Sequence, residues 1–156
     1  MTDGINQTEA EDVVIYSSAY GKLKYNSNLI YQFEKGILGV QHIKKYALFP
    51  IGDSSFSVLH SIEEQVSFIL IPAGEVVKDY DFRIDQELVD ILGLSAPEDV
   101  VVFLIVNMQH NSLYVNLKAP VLISPVNRTG CQHVITEKEY PIRYLLTKKE
   151  DSHASS

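Results

Sequence analysis

The side chains that could bind a metal ion are spread widely along this 156-residue chain. Its histidines have no second ligand at the short spacings that zinc sites use; they are His42, His60, His110, His133 and His153. Asp79, Asp81 and Asp85 begin like a calcium-binding loop. Arg83 and Ile84 stand where that loop requires an oxygen ligand and a glycine bend. We therefore expect surface or capping histidines, a solvated acidic turn and no bound metal.

Cys131 and His133 lie two positions apart, which on a strand places them on one face. Such a pair could form an activated thiolate. A free cysteine is more often a small core residue, and we favour that interpretation. The sequence also has no glycine-rich phosphate loop between a strand and a helix. We predict a protein without catalytic, cofactor-binding or metal-binding residues.

The elements that would position functional side chains are mostly strands, and the clearest pattern lies in residues 114–130. Odd positions from 115 to 123 are apolar, and this period of two predicts a strand with one inward face. The outward set would be Asn116, Lys118, Pro120 and Leu122. Because proline donates no amide hydrogen, Pro120 restricts the strand to an edge, a bulge or an end. A turn from Asn127 to Gly130 would lead to a returning strand over residues 131–136.

Shorter strand patterns lie at residues 13–16, 22–25, 29–33, 46–49, 56–60, 67–71 and 99–108. Residues 34–45 show no clean period and are interpreted as a structured loop. One helix is predicted between Asp85, as N-cap, and Gly93, in the left-handed position after the helix end. Residues 137–146 form a strand or a short helix. These elements predict an all-β, mainly antiparallel small barrel with one short helix, and a two-sheet sandwich is the alternative.

Length and charge set the remaining expectations. We expect one domain over residues 13–146, a mobile leader over residues 1–12 and a polar tail over residues 147–156. The leader lacks the basic start and apolar centre of a secretory signal, which favours the cytoplasm. The longest apolar run is too short to span a bilayer. A net charge of -7 disfavours nucleic acids and anionic membranes and suits a basic protein partner.

Three segments of the chain resemble the flagellar assembly factor FliW family. They are YALFP at residues 46–50 with the hairpin that follows, LGLSAPEDVVVFLIV at residues 92–106, and NLKAPVLISP with TGCQHVI within residues 115–135. The resemblance covers about residues 13–146. One departure is the stretch FEKGILGV at residues 33–40, where the family often has Phe-Pro-x-Gly-Leu-x-Gly-Phe; both glycines remain.

The resemblance implies a regulator that binds partners and catalyses no reaction. FliW-like proteins bind flagellin in the cytoplasm and also bind CsrA, an RNA-binding repressor of flagellin translation. The expected partner-binding residues are Phe33, Gly36, Ile37, Leu38, Gly39, Asn116, Lys118, Pro120 and Leu122. We give equal weight to a structural interpretation. In it, Asn116 and Lys118 only keep the outer face of the barrel hydrated, and the glycine-bearing loop only closes the end of the barrel.

Two other classes of function remain open at this stage. A flavin-binding or other cofactor-binding barrel would have similar strand content, and it predicts a yellow protein with a basic phosphate pocket. A nucleic-acid-binding barrel would need a positive groove with aromatic stacking, which the charge balance disfavours. We therefore expect flagellin and a CsrA-type repressor as partners, no cofactor, and no direct contact with nucleic acid or membrane.

Overall fold

The computed structural model describes residues 12–148. Of the predicted leader and tail, only Asp12 and residues 147 and 148 fall within this range, and they lie in the first and last strands. The rest of both segments lies outside the described residues. Within residues 12–148, no helix has the length and apolar character needed to cross a membrane.

Eleven strands and one α-helix make up the described part of the chain. In chain order the strands are β1 (Asp12–Ser17), β2 (Gly21–Asn26), β3 (Ile30–Gln32), β4 (Lys45–Pro50), β5 (Ser57–Ser61), β6 (Ser67–Pro72), β7 (Val101–Gln109), β8 (Ser112–Val115), β9 (Val121–Ser124), β10 (Thr129–Gln132) and β11 (Tyr144–Lys148). The helix, α1, is Gln86–Leu92. Each strand predicted before the helix is confirmed. Of the last predicted segment, residues 137–146, only residues 144–146 lie in a strand, and residues 137–143 are irregular.

Seven strands close into a barrel in the order β3, β4, β5, β6, β7, β9, β10. The start of β7 pairs with β9 and its end pairs with β8, which in turn pairs with β11. All pairs are antiparallel except β3 with β10, which meet in parallel at Gln32 and Thr129. β1 and β2 form a separate hairpin. The mainly antiparallel barrel is therefore confirmed, and the sandwich alternative is wrong.

The barrel interior is filled by apolar and aromatic side chains. Phe33 and Tyr46 are both fully buried, and their rings meet edge to face with centroids 5.2 Å apart. Gly130 allows the Phe33 ring to approach the backbone of β10, since a Cβ on Gly130 would lie 2.3 Å from that ring. Burial of such large side chains is the main favourable term in folding. Side-chain packing therefore holds β3 against β10, where only one residue pair is bridged.

Helix α1 covers part of the outer surface of the barrel. The Asp85 carboxylate accepts the Leu88 amide hydrogen at 3.0 Å, and Gly93 follows the helix with φ 70°, so both predicted helix signals are confirmed. The buried cluster beneath the helix consists of Leu88, Leu92, Leu122 and Cys131. Because the helix has only seven residues, this packing rather than helix propensity stabilises it.

The single long strand predicted within residues 114–130 is wrong. The chain leaves the sheet after β8, turns at residues 116–120 and re-enters as β9. Val121 and Ile123 point into the barrel as predicted. Leu122 has the opposite parity but is 0% exposed because α1 covers that face, and Pro120 is buried as well. The predicted outward exposure of Pro120 and Leu122 is therefore wrong, since parity assigns a face but not what covers it.

The turn before β10 differs from the prediction as well. It occupies residues 125–128, where the Arg128 amide donates to the Ser124 carbonyl at 2.7 Å and Arg128 has φ 55°. Gly130 already lies in β10, where its missing side chain makes room for the Phe33 ring. Asn127 instead donates to the carbonyl oxygens at the end of α1. Gly130 therefore does not mark a turn; a residue without a side chain is needed there because the Phe33 ring lies against the backbone.

Candidate partner-binding surface

The loop at residues 34–44 closes one end of the barrel. Phe33 and Ile37 are 0% and 1% exposed and belong to the interior cluster. Gly36 has φ 70°, and a Cβ on it would lie 2.5 Å from the backbone of Gln41. Leu38, by contrast, is 57% exposed. Two of the predicted contact residues are thus core residues, and Leu38 is an apolar side chain of this loop that a partner can touch.

The turn at residues 116–120 is held by hydrogen bonds within the protein. The Asn116 side-chain oxygen accepts the amide hydrogens of Lys118 and Ala119 at 2.9 and 3.0 Å. The Lys118 Nζ donates to the Ile135 carbonyl at 3.0 Å. Such local side-chain bonds compete with strand pairing, which explains why the sheet is interrupted here. Asn116 and Lys118 are half-buried and stabilise the turn, so they do more than solvate the barrel.

Gln132 joins the loop to the turn. Its Oε1 accepts the Leu38 amide hydrogen at 2.9 Å, and its Nε2 donates to the Ala119 carbonyl at 3.2 Å. The loop at residues 34–44, the turn at residues 116–120 and Gln132 are together referred to as the loop junction. Both segments predicted to contact partners therefore meet at one side-chain amide. Gln132 therefore connects the two segments by hydrogen bonds.

The remaining candidates for chemistry have structural roles. Burial raises the pKa of the Cys131 thiol above its ordinary value, while the charges of Lys35 and Glu87 act on that pKa in opposite directions. The thiol is therefore protonated at neutral pH, and its Sγ donates to the Gln132 carbonyl at 3.5 Å. The ring of His133 packs against Phe82 with centroids 5.6 Å apart. The pair does not supply an activated thiolate.

The acidic residues that begin like a calcium loop also bind elsewhere. Asp81 forms an ion pair with Lys138, and Asp85 caps α1. Among residues 12–148, no group of three histidine, cysteine, aspartate or glutamate side chains is arranged to hold a metal ion.

Comparison with known sequences assigns the family. Residues 14–146 match the family described as FliW protein. The chain belongs to the FliW family. The matched range agrees with the extent of the resemblance. YALFP lies in β4, LGLSAPEDVVVFLIV runs from the end of α1 into β7, and NLKAPVLISP runs from the turn at residues 116–120 through β9.

Several named members of the FliW family are similar over nearly their full length. Flagellar assembly factor FliW of Caldicellulosiruptor saccharolyticus is 34% identical over 143 residues, which cover 90% of this chain and 94% of that protein. Flagellar assembly factor FliW of Clostridium kluyveri is 34% identical over 137 residues, covering 85% and 94%. A crystal structure of the flagellar assembly factor FliW matches with a TM-score of 0.79 and 24% identity, covering 88% of this chain and 99% of that one. This match supports the barrel fold.

Sequence reasoning missed Gln132 and Asn127, whose side-chain amides link separate segments. Gln132 lies inside the TGCQHVI segment that carries the family resemblance, but the motif does not indicate which residues the Gln132 side chain contacts. Asn127 was assigned to a turn because asparagine is common there. Neither strand parity nor turn statistics reports which distant backbone a side chain reaches.

Proposed function

We propose that this chain is a cytoplasmic flagellar assembly factor that binds flagellin and sequesters a CsrA-type translational repressor, without catalysing a reaction. Membership of the FliW family over residues 14–146 carries this proposal. Free protein removes the repressor from the flagellin message. Accumulating flagellin then occupies the protein and releases the repressor, which lowers flagellin synthesis.

Such feedback requires that one partner weakens binding of the other, through overlapping sites or through coupling between separate sites. The loop junction supports this requirement because Gln132 ties the exposed Leu38 loop to the turn at residues 116–120. The net charge of -7 supports the choice of a basic repressor, since opposite charge speeds association and hinders access of RNA to the same partner.

The test uses the purified protein with flagellin and the CsrA-type repressor encoded by the same genome. We expect each partner to bind at micromolar concentration or below, as measured by calorimetry. In a gel-shift assay, the protein should remove repressor from flagellin message RNA, and added flagellin should restore the repressor–RNA band. Failure to bind either partner at tens of micromolar contradicts the proposal, as does a repressor–RNA band that flagellin leaves unchanged.

A further inference from the structure

A groove of about 450 Å³ lies beside α1, and its lining is mostly apolar. The lining side chains include Phe82, Ile84, Val89, Leu94, Ala96 and Pro97. Leu88 and Leu92 point inward from α1 against the barrel, whereas Val89 is half-buried at the groove. Apolar side chains that line an open groove give a partner's apolar side chain a place to be buried.

The segment that supplies the lining of this groove is strongly acidic. Residues 79–99 contain seven carboxylates and one basic side chain, a net charge of -6, against -7 for the whole chain. Lys35 pairs with Glu87, and Lys138 pairs with Asp81. With those two lysines included, four negative charges remain uncompensated. Residues 79–99 are referred to as the acidic face.

Several of these carboxylates face solvent next to the apolar lining. Asp90 lies on α1 and Glu98 in the 3₁₀ turn Pro97–Asp99, and both are exposed. Asp85 and Asp99 are bound to backbone amides of Leu88 and Ala96, so their positions are fixed. An apolar lining with a negative rim is complementary to an apolar side chain flanked by lysine or arginine.

We infer that this groove is the docking site for the basic repressor rather than for flagellin. The inference rests on the proposed function and specifies the partner of one surface. An apolar residue of the repressor enters the groove, while lysine or arginine side chains beside it meet Asp90 and Glu98. The acidic face also repels the phosphate backbone of RNA, so the docked repressor is held in a field that opposes RNA binding.

Flagellin helices also need an apolar groove, but a strongly negative rim offers an amphipathic helix no general advantage. The rim does favour a basic partner, because its charges speed association and stabilise the bound state at low salt. The surplus negative charge therefore decides between the two partners of the proposed function.

The experiment compares two double variants with the same change in net charge. D90N/E98Q removes two negative charges at the groove, and D53N/E63Q removes two exposed charges elsewhere. Affinities for the purified repressor and for flagellin are measured by calorimetry at 50 and 300 mM salt. We expect D90N/E98Q to weaken repressor binding about fivefold at low salt and less at high salt, because exposed charge pairs are individually weak and are screened by salt. D53N/E63Q should remain within about twofold of the unaltered protein.

A third variant, Val89→Ala, tests the apolar lining without altering charge. We expect it to weaken repressor binding about three- to tenfold at both salt concentrations, because a smaller side chain buries less apolar area. Thermal unfolding of each variant serves as the control that the barrel is intact. Flagellin affinity should be unchanged in all three variants.

The outcomes separate this inference from the proposed function. Equal weakening by both double variants, unchanged repressor binding, or a loss confined to flagellin overturns the assignment of the groove, while the partner-switching function stands. If the unaltered protein binds neither partner, the proposed function fails and the docking assignment fails with it. If D90N/E98Q and Val89→Ala weaken repressor binding but leave flagellin binding unchanged, the result supports both the docking assignment and the proposed function.

Discussion

The loop junction and the acidic face lie on the same barrel, but their polar side chains are used differently. At the loop junction, Asn116, Lys118 and Gln132 all bind the protein's own backbone. On the acidic face, the exposed carboxylates of Asp90 and Glu98 adjoin Val89 and Pro97, which line an apolar groove. Polar side chains at the first region are explained by folding. On the acidic face, Asp85 and Asp99 also stabilise local structure, whereas Glu98 faces solvent.

This contrast teaches that a segment resembling a family motif can mark a structural constraint instead of a contact surface. NLKAP, at residues 116–120, builds a turn whose polar groups are already bonded. The acidic face is less recognisable as a sequence motif, yet it carries the uncompensated negative charge. Four substitutions examine the contrast, and they are arranged from the largest expected effect to the smallest.

Gly36→Ala tests whether the loop junction tolerates any added atom. The new Cβ would lie 2.5 Å from the Gln41 backbone, at a residue with φ 70°, so we expect a loss of about 3 to 4 kcal/mol in the free energy of unfolding. Gly39→Ala is the matched control, because Gly39 also has positive φ but nothing lies within 4 Å of its added Cβ. It should cost only about 1 to 2 kcal/mol. Equal losses in urea unfolding would show that the loop moves freely.

Leu122→Ala tests whether the packing beneath α1 is as firm as the loop junction. Leu122 is 0% exposed against Leu88 and Leu92, and its truncation should cost about 3 kcal/mol by leaving a cavity. Leu38→Ala makes the same change at a side chain that is 57% exposed, and it should cost less than about 0.5 kcal/mol. Chemical denaturation measures both. A small loss at Leu122 would mean that the helix is loosely attached and that the groove beside it lacks a fixed shape.

Asn116→Ala tests the claim that the NLKAP turn is structural. Loss of the side-chain oxygen leaves the amides of Lys118 and Ala119 without their partner, which should cost about 1 to 2 kcal/mol. Asn116→Asp keeps an acceptor in that place and should recover most of the stability. If thermal unfolding shows no difference between the alanine variant and the unaltered protein, the turn is free to take part in binding.

Tyr46→Phe tests the interior beneath the loop junction and has the smallest effect at neutral pH. Burial, with a smaller contribution from the charge of Glu64, raises the pKa of Tyr46 to about 12, and its hydroxyl is buried without a hydrogen-bond partner among the described residues. The unfolded chain ionises near pH 10, whereas the folded protein keeps the proton up to about 12. Stability should therefore fall as pH rises from about 10 to about 12.

Tyr46→Phe removes that ionisation, so the fall in stability over this alkaline range should be smaller in the variant. At pH 7 the two proteins should differ by less than about 1 kcal/mol, because the lost hydroxyl makes no bond. Urea unfolding at pH 7 and at pH 11 measures both differences. Identical pH dependence in the two proteins would show that the hydroxyl is hydrated in the folded state.

The sequence was sufficient for the barrel class, the early strands and the caps of α1, because these follow from local periodicity and local hydrogen bonding. It was insufficient where a distant segment decides the outcome. Leu122 has outward parity, but burial came from a helix some thirty residues earlier in the chain. Gly130 suggested a turn, but the Phe33 ring explains it.

The candidate surface was predicted only in part for the same reason. Leu38 is exposed as a contact residue should be, whereas Phe33 and Ile37 are enclosed in the barrel. The Gln132 bridge depends on the spatial meeting of two loops, which no single-segment pattern contains. The charge surplus in residues 79–99 is readable from the sequence, but its position beside an apolar groove is not.

The one parallel bridge between Gln32 and Thr129 bears on how the chain acquires its shape. The two residues are far apart in sequence, so joining them costs more chain entropy than any neighbouring hairpin does. A single bridged residue pair contributes too little stabilisation to offset that entropy. We therefore expect the barrel to close late in folding, when the Phe33 ring packs over Gly130 and holds the two strands side by side.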